Sequence, residues 1–410
     1  MIKSWHELKL PNDTLEPKDL VRLATNKISD LAPTVVVVTG SVGKTTTKEV
    51  IKMVLSEKLQ AFSTSESSVN LTELSLDILS NFDIKDRVVV TEVGAENPEY
   101  REILTLLKPD ILVITAVDQT NLGKFATMEG VIAPYALMLE LLKKDGIAVL
   151  NGDDRNIPKL ARVGIAKKIY YSQLVSKDVY ATDSTADLSG VSFMLNTSLK
   201  GIAAGRVKVT APVLGAHTIY ACLANSVVAS YCGLGLTQIK AGLAKLTPLP
   251  GRLNLLRGLS SSTVIDDSHS STFSSTLAAF EVLRTIDAGR KIVIFGDLPN
   301  LGSFEDEAHK KIGERLAEIG VDLLVVIGDT VSLTADSFAL SSISFNRTPE
   351  IYRFETVESA LESVENILKL KSSDVLLVKG SQALRFPKLT YQLILDKSLV
   401  DVKDYEKSEK

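Results

Sequence analysis

A series of short apolar runs sets the terms on which this chain can fold: Val35–Val38, Val88–Val90, Ile111–Ile114, Ile147–Leu150, Ile292–Phe295, Leu323–Ile327 and Val375–Val378. They are rich in β-branched residues and do not alternate apolar with polar. A strand covered on both faces reads this way, because neither side of its pleat meets water. Between the runs the apolar period becomes helical. Val50, Ile51, Val54, Leu55, Leu59 and Phe62 make one stripe, and Glu16–Ile28, Glu305–Ile319 and Val357–Leu370 read as helices too. Strand alternating with helix predicts α/β architecture: parallel sheets, doubly wound.

From Ser172 to Gly215 this rhythm stops, and Val191–Asn196 and Arg206–Val213 are expected as antiparallel strands. A helix follows from about Ala216 to Tyr231, then a hinge at Leu246-Thr-Pro-Leu-Pro-Gly-Arg252, where two prolines and a glycine interrupt regular structure. A second α/β series begins near Thr263. The expected organisation is a lead-in helix within 1–30, a central domain over 31–250, a C-terminal Rossmann-like domain over 251–400 and a frayed tail at 401–410. The full length of 410 residues suits two or three cores, at roughly 100–200 residues per domain.

The most specific local signal is Val35-Val-Val-Val-Thr-Gly-Ser-Val-Gly-Lys-Thr-Thr-Thr47, in which a buried strand runs through glycines into a helix. In such a loop the backbone N–H groups of Gly40, Ser41, Val42 and Gly43 can turn inward around a polyphosphate. The helix N-terminus adds unpaired donors and a positive dipole end. Lys44 can reach the β- and γ-phosphates, the Thr45 hydroxyl can hold Mg²⁺, and Thr46 completes the first turn. The bland alternative is a Gly/Ser turn that binds nothing. Glu92 follows the Val88–Val90 run at a strand C-terminus, the edge that faces the ligand crevice in open parallel sheets, and can complete a Mg²⁺ shell. Asp118, after Ile111–Thr115, is a second acid on that edge.

Composition narrows the partners. Apolar residues make up 45% and charged residues 23%, and 46 Lys+Arg against 50 Asp+Glu give a net charge of −4. Disorder is excluded as the dominant state, and nothing calls for nucleic acid or an anionic membrane. No apolar run reaches the ~18 residues of a membrane span. Met1–Leu10 has no apolar core of a secretory signal. Cys222 and Cys232 alone make neither a disulfide framework nor a four-ligand zinc site. The expected partners are small-molecule or peptide substrates, without membrane insertion, in the cytoplasm, with a monomer as the simplest state.

The short loop form Thr39-Gly-Ser-Val-Gly-Lys-Thr-Thr46 resembles the ATP loop of the Mur ligase family, which joins amino acids or peptides to a carboxylate at the expense of ATP. Thr91-Glu-Val-Gly-Ala95, Lys108 to Thr115, Gly146 to Asp154, Gly215-Ala-His217, Pro250-Gly-Arg252, Ile265-Asp-Asp-Ser268, Phe295-Gly-Asp-Leu298 and Val378-Lys-Gly-Ser381 resemble later segments in the family's order. Within the family the resemblance is greatest to the branch that adds D-alanyl-D-alanine. It implies an ATP- and Mg²⁺-dependent, amide-forming ligase of peptidoglycan precursor synthesis that works through an acyl phosphate. Lys44 and Glu92 become catalytic, and Thr45 and Glu92 the metal residues. Arg252 and Asp267 would grip ATP from the hinge and the second domain, while Lys379 and Ser381 would face the acceptor. Each has a plainer alternative: a surface arginine, helix N-caps at Asp266 and Asp267, and a turn-capping Gly-Ser. His217 reads equally as a cap or a nucleotide contact, His269 as a loop residue, and His309 as a surface residue.

The chain also departs from the family's pattern. The first strand begins too soon to leave room for the N-terminal domain that holds the UDP-sugar, which makes a non-UDP substrate an alternative. Asn121 stands where the family has a histidine, and Tyr135 where it has a lysine that becomes carbamylated; these two weaken a second metal shell and motivate the alternative of an ATP-binding protein without ligase activity. Thr218 and Ala221 replace two asparagines, and Gln382 an arginine.

Overall fold

The structure, a computed structural model, describes residues 16–400 apart from 67, 69 and 200–203; the expected tail at 401–410 lies outside the described residues. Two sheets organise it. The first contains β1 (Thr34–Thr39), β2 (Ala61–Ser63), β3 (Val88–Glu92), β4 (Ile111–Ile114), β5 (Ile147–Asn151), β6 (Lys167–Ser172), β7 (Val179–Asp187), β8 (Gly190–Thr197) and β9 (Gly205–Ala211). Their spatial order is β2-β3-β1-β4-β5-β6-β7-β8-β9. All pairs from β2 to β7 are parallel, and β8 lies antiparallel to both β7 and β9.

The second sheet contains β10 (Asn254–Arg257), β11 (Thr263–Asp267), β12 (Arg290–Gly296), β13 (Leu323–Ile327), β14 (Glu350–Phe354) and β15 (Asp374–Lys379), in the order β10-β11-β15-β12-β13-β14. Only β10 runs antiparallel to its neighbour. The architecture is therefore mixed α/β with parallel-rich sheets in two units, as the alternation of runs and stripes requires.

The unbroken apolar runs have a direct structural meaning. Val36 and Val38 of β1 enter one core with Val50, Ile51 and Val54 of the Lys44–Leu55 helix, while Val35 and Val37 enter another with Leu20, Ala24 and Ile28 of the Pro17–Leu31 helix. In β11, Val264 and Ile265 likewise divide between two cores. Full burial of such a side chain is worth about 1.5–3 kcal/mol relative to exposure, so both helical layers are held to the sheet by the same strand.

The structure corrects three expectations. The Val50–Phe62 stripe is not one helix: the helix ends at Leu55, and Phe62 lies in β2 and packs into the other core. Residues 357–370 do not form one helix but two short ones, Val357–Leu361 and Val364–Leu368, broken at Ser363, which takes φ −130° and makes no side-chain cap; serine is a weak helix former, so the interruption costs little. The antiparallel excursion also has a strand that the sequence hid, β7. Its exposed outer half is polar, and its register shifts between Thr182 and Thr185.

In the first sheet the chain leaves β1 toward β2 on one side and later returns through β4 on the other. Such a reversal of direction opens a crevice at the strand C-termini. The units also meet backbone to backbone: Gly123 N donates to Asn300 O at 2.9 Å, and a Cβ on Gly302 would lie 2.6 Å from the Gly123 Cα.

Candidate functional site

The crevice contains a cavity of about 380 Å³ lined from both units. Its floor is the phosphate loop between β1 and the Lys44–Leu55 helix. Gly40, at φ +141°, and Gly43, at φ +80°, take backbone conformations that favour glycine, and a Cβ on Gly40 would lie 2.0 Å from Thr115 Oγ1. Thr115, at the end of β4, supports the loop from beneath: its Oγ1 lies 2.5 Å from the Val42 carbonyl and 3.1 Å from that of Thr39. Ser41 N donates to Ala116 O at 2.8 Å. Residues Ser41 to Thr46 all line the cavity. Lys44 folds back to donate to Gly40 O at 2.9 Å, with Glu96 3.8 Å away.

Pairing of β1 with β3 sets Val38 beside Glu92, which brings the acid to the loop. Thr45 Oγ1 donates to Glu92 Oε1 at 3.0 Å, and Glu92 Oε2 is buried without a partner. A buried, unpaired carboxylate oxygen is costly, and a hard cation relieves that cost, so Thr45 and Glu92 fit Mg²⁺. Among the described residues no three His, Cys, Asp or Glu converge to hold a metal by themselves; the other ligands would be phosphate and water. Lys48, missed in the sequence, is fully buried beneath this pair. It donates to Thr64 O at 2.9 Å and lies 3.4 Å from Glu49 and 4.0 Å from Glu92.

The second unit supplies the opposite wall. Arg252 Nη2 donates to His269 Nδ1 at 3.2 Å, which leaves the proton on Nε2 to be donated to Glu66 Oε2 at 2.7 Å. Arg252 also lies 3.5 Å from Glu66 Oε1. Glu66 belongs to the loop after β2, so this cluster ties the two units together across the cavity. The His269 hydrogen bond is the main reason that the Glu66 carboxyl is pulled down to about 2. Arg252 and His269 are therefore more than surface residues. Glu66 escaped the sequence analysis; the one available signal was its place beyond the C-terminus of a parallel strand.

Asp267 and Lys379 face each other in the pairing of β11 with β15. Lys379 is fully buried, 2.9 Å from Asp267 Oδ2 and bonded to Ser270 O at 2.5 Å. Its burial lowers its pKa. Although Lys379 lines the cavity, its ammonium is matched by Asp267 rather than left free for a substrate carboxylate. Neither Asp266 nor Asp267 caps a helix, since Thr272 caps Phe273–Thr285. Asp266 instead accepts from Gly251 N and Thr390 Oγ1. Ser381 accepts from Leu384 N at 3.3 Å, the capping alternative, and neither Ser381 nor Asn121 is among the residues that line the cavity.

Asn121 takes φ +67° before a short Leu122–Phe125 helix, and its side chain makes no cap bond. Tyr135 is 2% exposed, with its hydroxyl 3.4 Å from Ser41 Oγ. Burial raises its pKa, so it stays a neutral phenol. Asp118 N donates to Ser41 Oγ at 3.0 Å, while its carboxylate accepts from Ser274 Oγ of the second unit at 2.5 Å. His217 lines the cavity but makes no side-chain cap. His309, expected on the surface, is fully buried and bonded to Thr334 at 2.8 Å, because the Glu305–Ile319 helix packs that face against Ser332–Ile343.

With the loop, the Thr45–Glu92 bond and the facing arginine in place, the relatives of the chain can be compared. A family model described as the Mur ligase middle domain matches residues 38–229, and one described as the Mur ligase, glutamate ligase domain, matches residues 251–382. The chain belongs to the Mur ligase family. Among its relatives, the UDP-N-acetylmuramoyl-tripeptide–D-alanyl-D-alanine ligase of Buchnera aphidicola subsp. Baizongia pistaciae is 28% identical over 88% of this chain and 75% of its own length. The enzyme of the same name from Bacillus subtilis is 26% identical over 95% and 81%. MurF from Acinetobacter baumannii shares the fold with TM-score 0.79 at 23% identity, over 91% of this chain and 79% of that one. MurF from Thermotoga maritima, solved with ADP, gives TM-score 0.77 at 22% identity, over 92% and 83%. Among the described residues of this Mur ligase, no helix is long and apolar enough to cross a membrane.

Proposed function

We propose that this Mur ligase uses ATP and Mg²⁺ to join a carboxylate to an amine, adding D-alanyl-D-alanine or a similar amine to a peptidoglycan precursor. The observation that carries this reading is the single cavity in which the phosphate loop and the Thr45–Glu92 pair face Arg252 of the second unit. The substrate carboxylate attacks the γ-phosphate, giving an acyl phosphate and ADP; the amine then displaces phosphate and leaves an amide. Lys44 and the loop amides neutralise charge on the transferred group, and Arg252 meets it from the other wall. Bound Mg²⁺ would supply further charge neutralisation at Thr45 and Glu92. The Glu66–His269–Arg252 contacts and the Asp118–Ser274 bond hold the units together and help to exclude water, which would otherwise hydrolyse an acyl phosphate. Asp267, tied to Lys379 and to Leu253 N, shapes the nucleotide wall.

A second reading, a nucleotide-binding protein without ligase activity, is favoured by the buried Tyr135 and the non-ligating Asn121. Purified protein with ATP, Mg²⁺ and UDP-N-acetylmuramoyl-tripeptide plus D-alanyl-D-alanine separates the two. ADP release that depends on the amine, with a new amide by mass spectrometry, is the expected result. Failure of this pair and of a wider panel of acids and amines, with ATP still bound, supports the second reading.

A further inference from the structure

We infer that His269 is a positioning residue for Arg252: its neutral imidazole aims the guanidinium at the nucleotide phosphates without adding negative charge beside it. The inference rests on the nucleotide reading above. A long arginine side chain spreads over many rotamers unless something holds it. Arg252 closes a tight turn. Its N–H donates to Leu249 O at 3.1 Å, with Pro250 in the second position and Gly251, at φ +67°, in the third. This turn seats directly on His269. The His269 N–H donates to Gly251 O at 3.1 Å, and a Cβ on Gly251 would lie 2.9 Å from the His269 Cβ. From the other side Gln382 N, beyond β15, donates to His269 O at 2.9 Å. Main chain from the hinge and from the second sheet thus braces the residue that carries the imidazole.

The two ring nitrogens do different work. Nδ1 accepts from Arg252 Nη2 at 3.2 Å, while Nε2–H donates to Glu66 Oε2 at 2.7 Å. A guanidinium carries donors on Nε, Nη1 and Nη2. Among the described residues only Nη2 is bonded, to His269 and, at 3.5 Å, to Glu66 Oε1. Nε and Nη1 remain for an anion in the cavity, which Arg252 and His269 line together with residues Ser41 to Thr46. Asp267, another acid on this wall, is matched by Lys379 at 2.9 Å and so does not draw the guanidinium away. A carboxylate at residue 269 would hold Arg252 as firmly but would cancel charge that a phosphate needs. A neutral acceptor fixes the direction alone.

Titration calorimetry of the full chain with magnesium-ATP tests this. His269→Ala is expected to weaken binding by about five- to tenfold, the scale of one hydrogen bond. His269→Asn puts an amide oxygen where Nδ1 lies but does not reach Glu66, and is expected to bind within about twofold of the wild type. His269→Asp, of the same shape but charged, is expected to be at least as weak as His269→Ala. With Arg252→Ala already present, His269→Ala is expected to change binding by less than about twofold, because it acts through the arginine. If His269→Asn is as weak as His269→Ala, the imidazole serves only to tie the units through Glu66, and the inference is overturned. It is overturned too if His269→Asp binds as tightly as His269→Asn, or if the effect of His269→Ala survives Arg252→Ala. Saturable ATP binding that is indifferent to Arg252→Ala also overturns it, while leaving the nucleotide reading intact. Failure of ATP to saturate the wild-type chain removes the nucleotide reading itself.

Discussion

Lys44 illustrates how a single residue can serve the structure and, on the proposed reading, the chemistry. Its ammonium rests on the Gly40 carbonyl and must leave it to meet a phosphate. Lys44→Ala should cut ATP turnover by at least about 10²-fold, the scale of losing one charged donor from a transferred phosphoryl group, with the fold unchanged by circular dichroism. Unaltered ADP release would remove Lys44 from the mechanism. Tyr135 leads to a different expectation. A neutral, buried phenol beside Ser41 offers no anionic ligand, and Asn121 offers none in its place. Magnesium dependence of ATP binding should therefore follow a single-site curve, read by calorimetry across Mg²⁺ concentrations; two resolved metal steps would contradict this. The thiols of Cys222 and Cys232, both pushed up to about 12 by burial, should resist alkylation in the native protein.

At the scale of elements, the strand–loop–helix unit is held by backbone conformation. Gly40→Ala puts a Cβ into Thr115 and strains a left-handed φ, and should cost about 2–3 kcal/mol by urea denaturation along with ATP binding. This unit was legible in the sequence because its chemistry is contiguous: glycines, lysine and threonine occupy neighbouring positions and the flanking periodicity changes beside them. Glu92 was legible as well, from its place at a strand end. Lys379 was harder. Its partner Asp267 lies far away in the chain and is reached only through the β11–β15 register, so a lysine after a strand suggested a free cation where the sheet makes an ion pair. Lys379→Met should be strongly destabilising, by about 3–5 kcal/mol, because it leaves Asp267 in a buried site without its counter-charge. A much smaller change in the denaturation midpoint would mean that Asp267 is satisfied by other means.

Across the whole molecule, the contacts between units come from loops, and those were the least legible features. Glu66 has no motif around it; its meaning appears only when the second unit brings Arg252 and His269 over the first. Because its folded pKa lies below its usual 4.5, its contribution is present above pH 4.5 and is lost as the pH falls toward 2. The Glu66 side chain is 46% exposed, so solvent screening limits that contribution to about 1 kcal/mol. Glu66→Gln should flatten the acid limb of thermal stability between about pH 4.5 and 2 while changing stability at pH 7 by about 1 kcal/mol or less. An unchanged acid limb would show that the units are held by other contacts.

The Gly123–Gly302 contact gives this assembly a mechanical stop made of main chain. Side chains can yield and repack, but peptide planes in van der Waals contact cannot approach further, so the narrowest spacing of the two halves is fixed by covalent geometry. Substitution at either glycine can act in one sense only: it wedges the halves apart and never draws them closer.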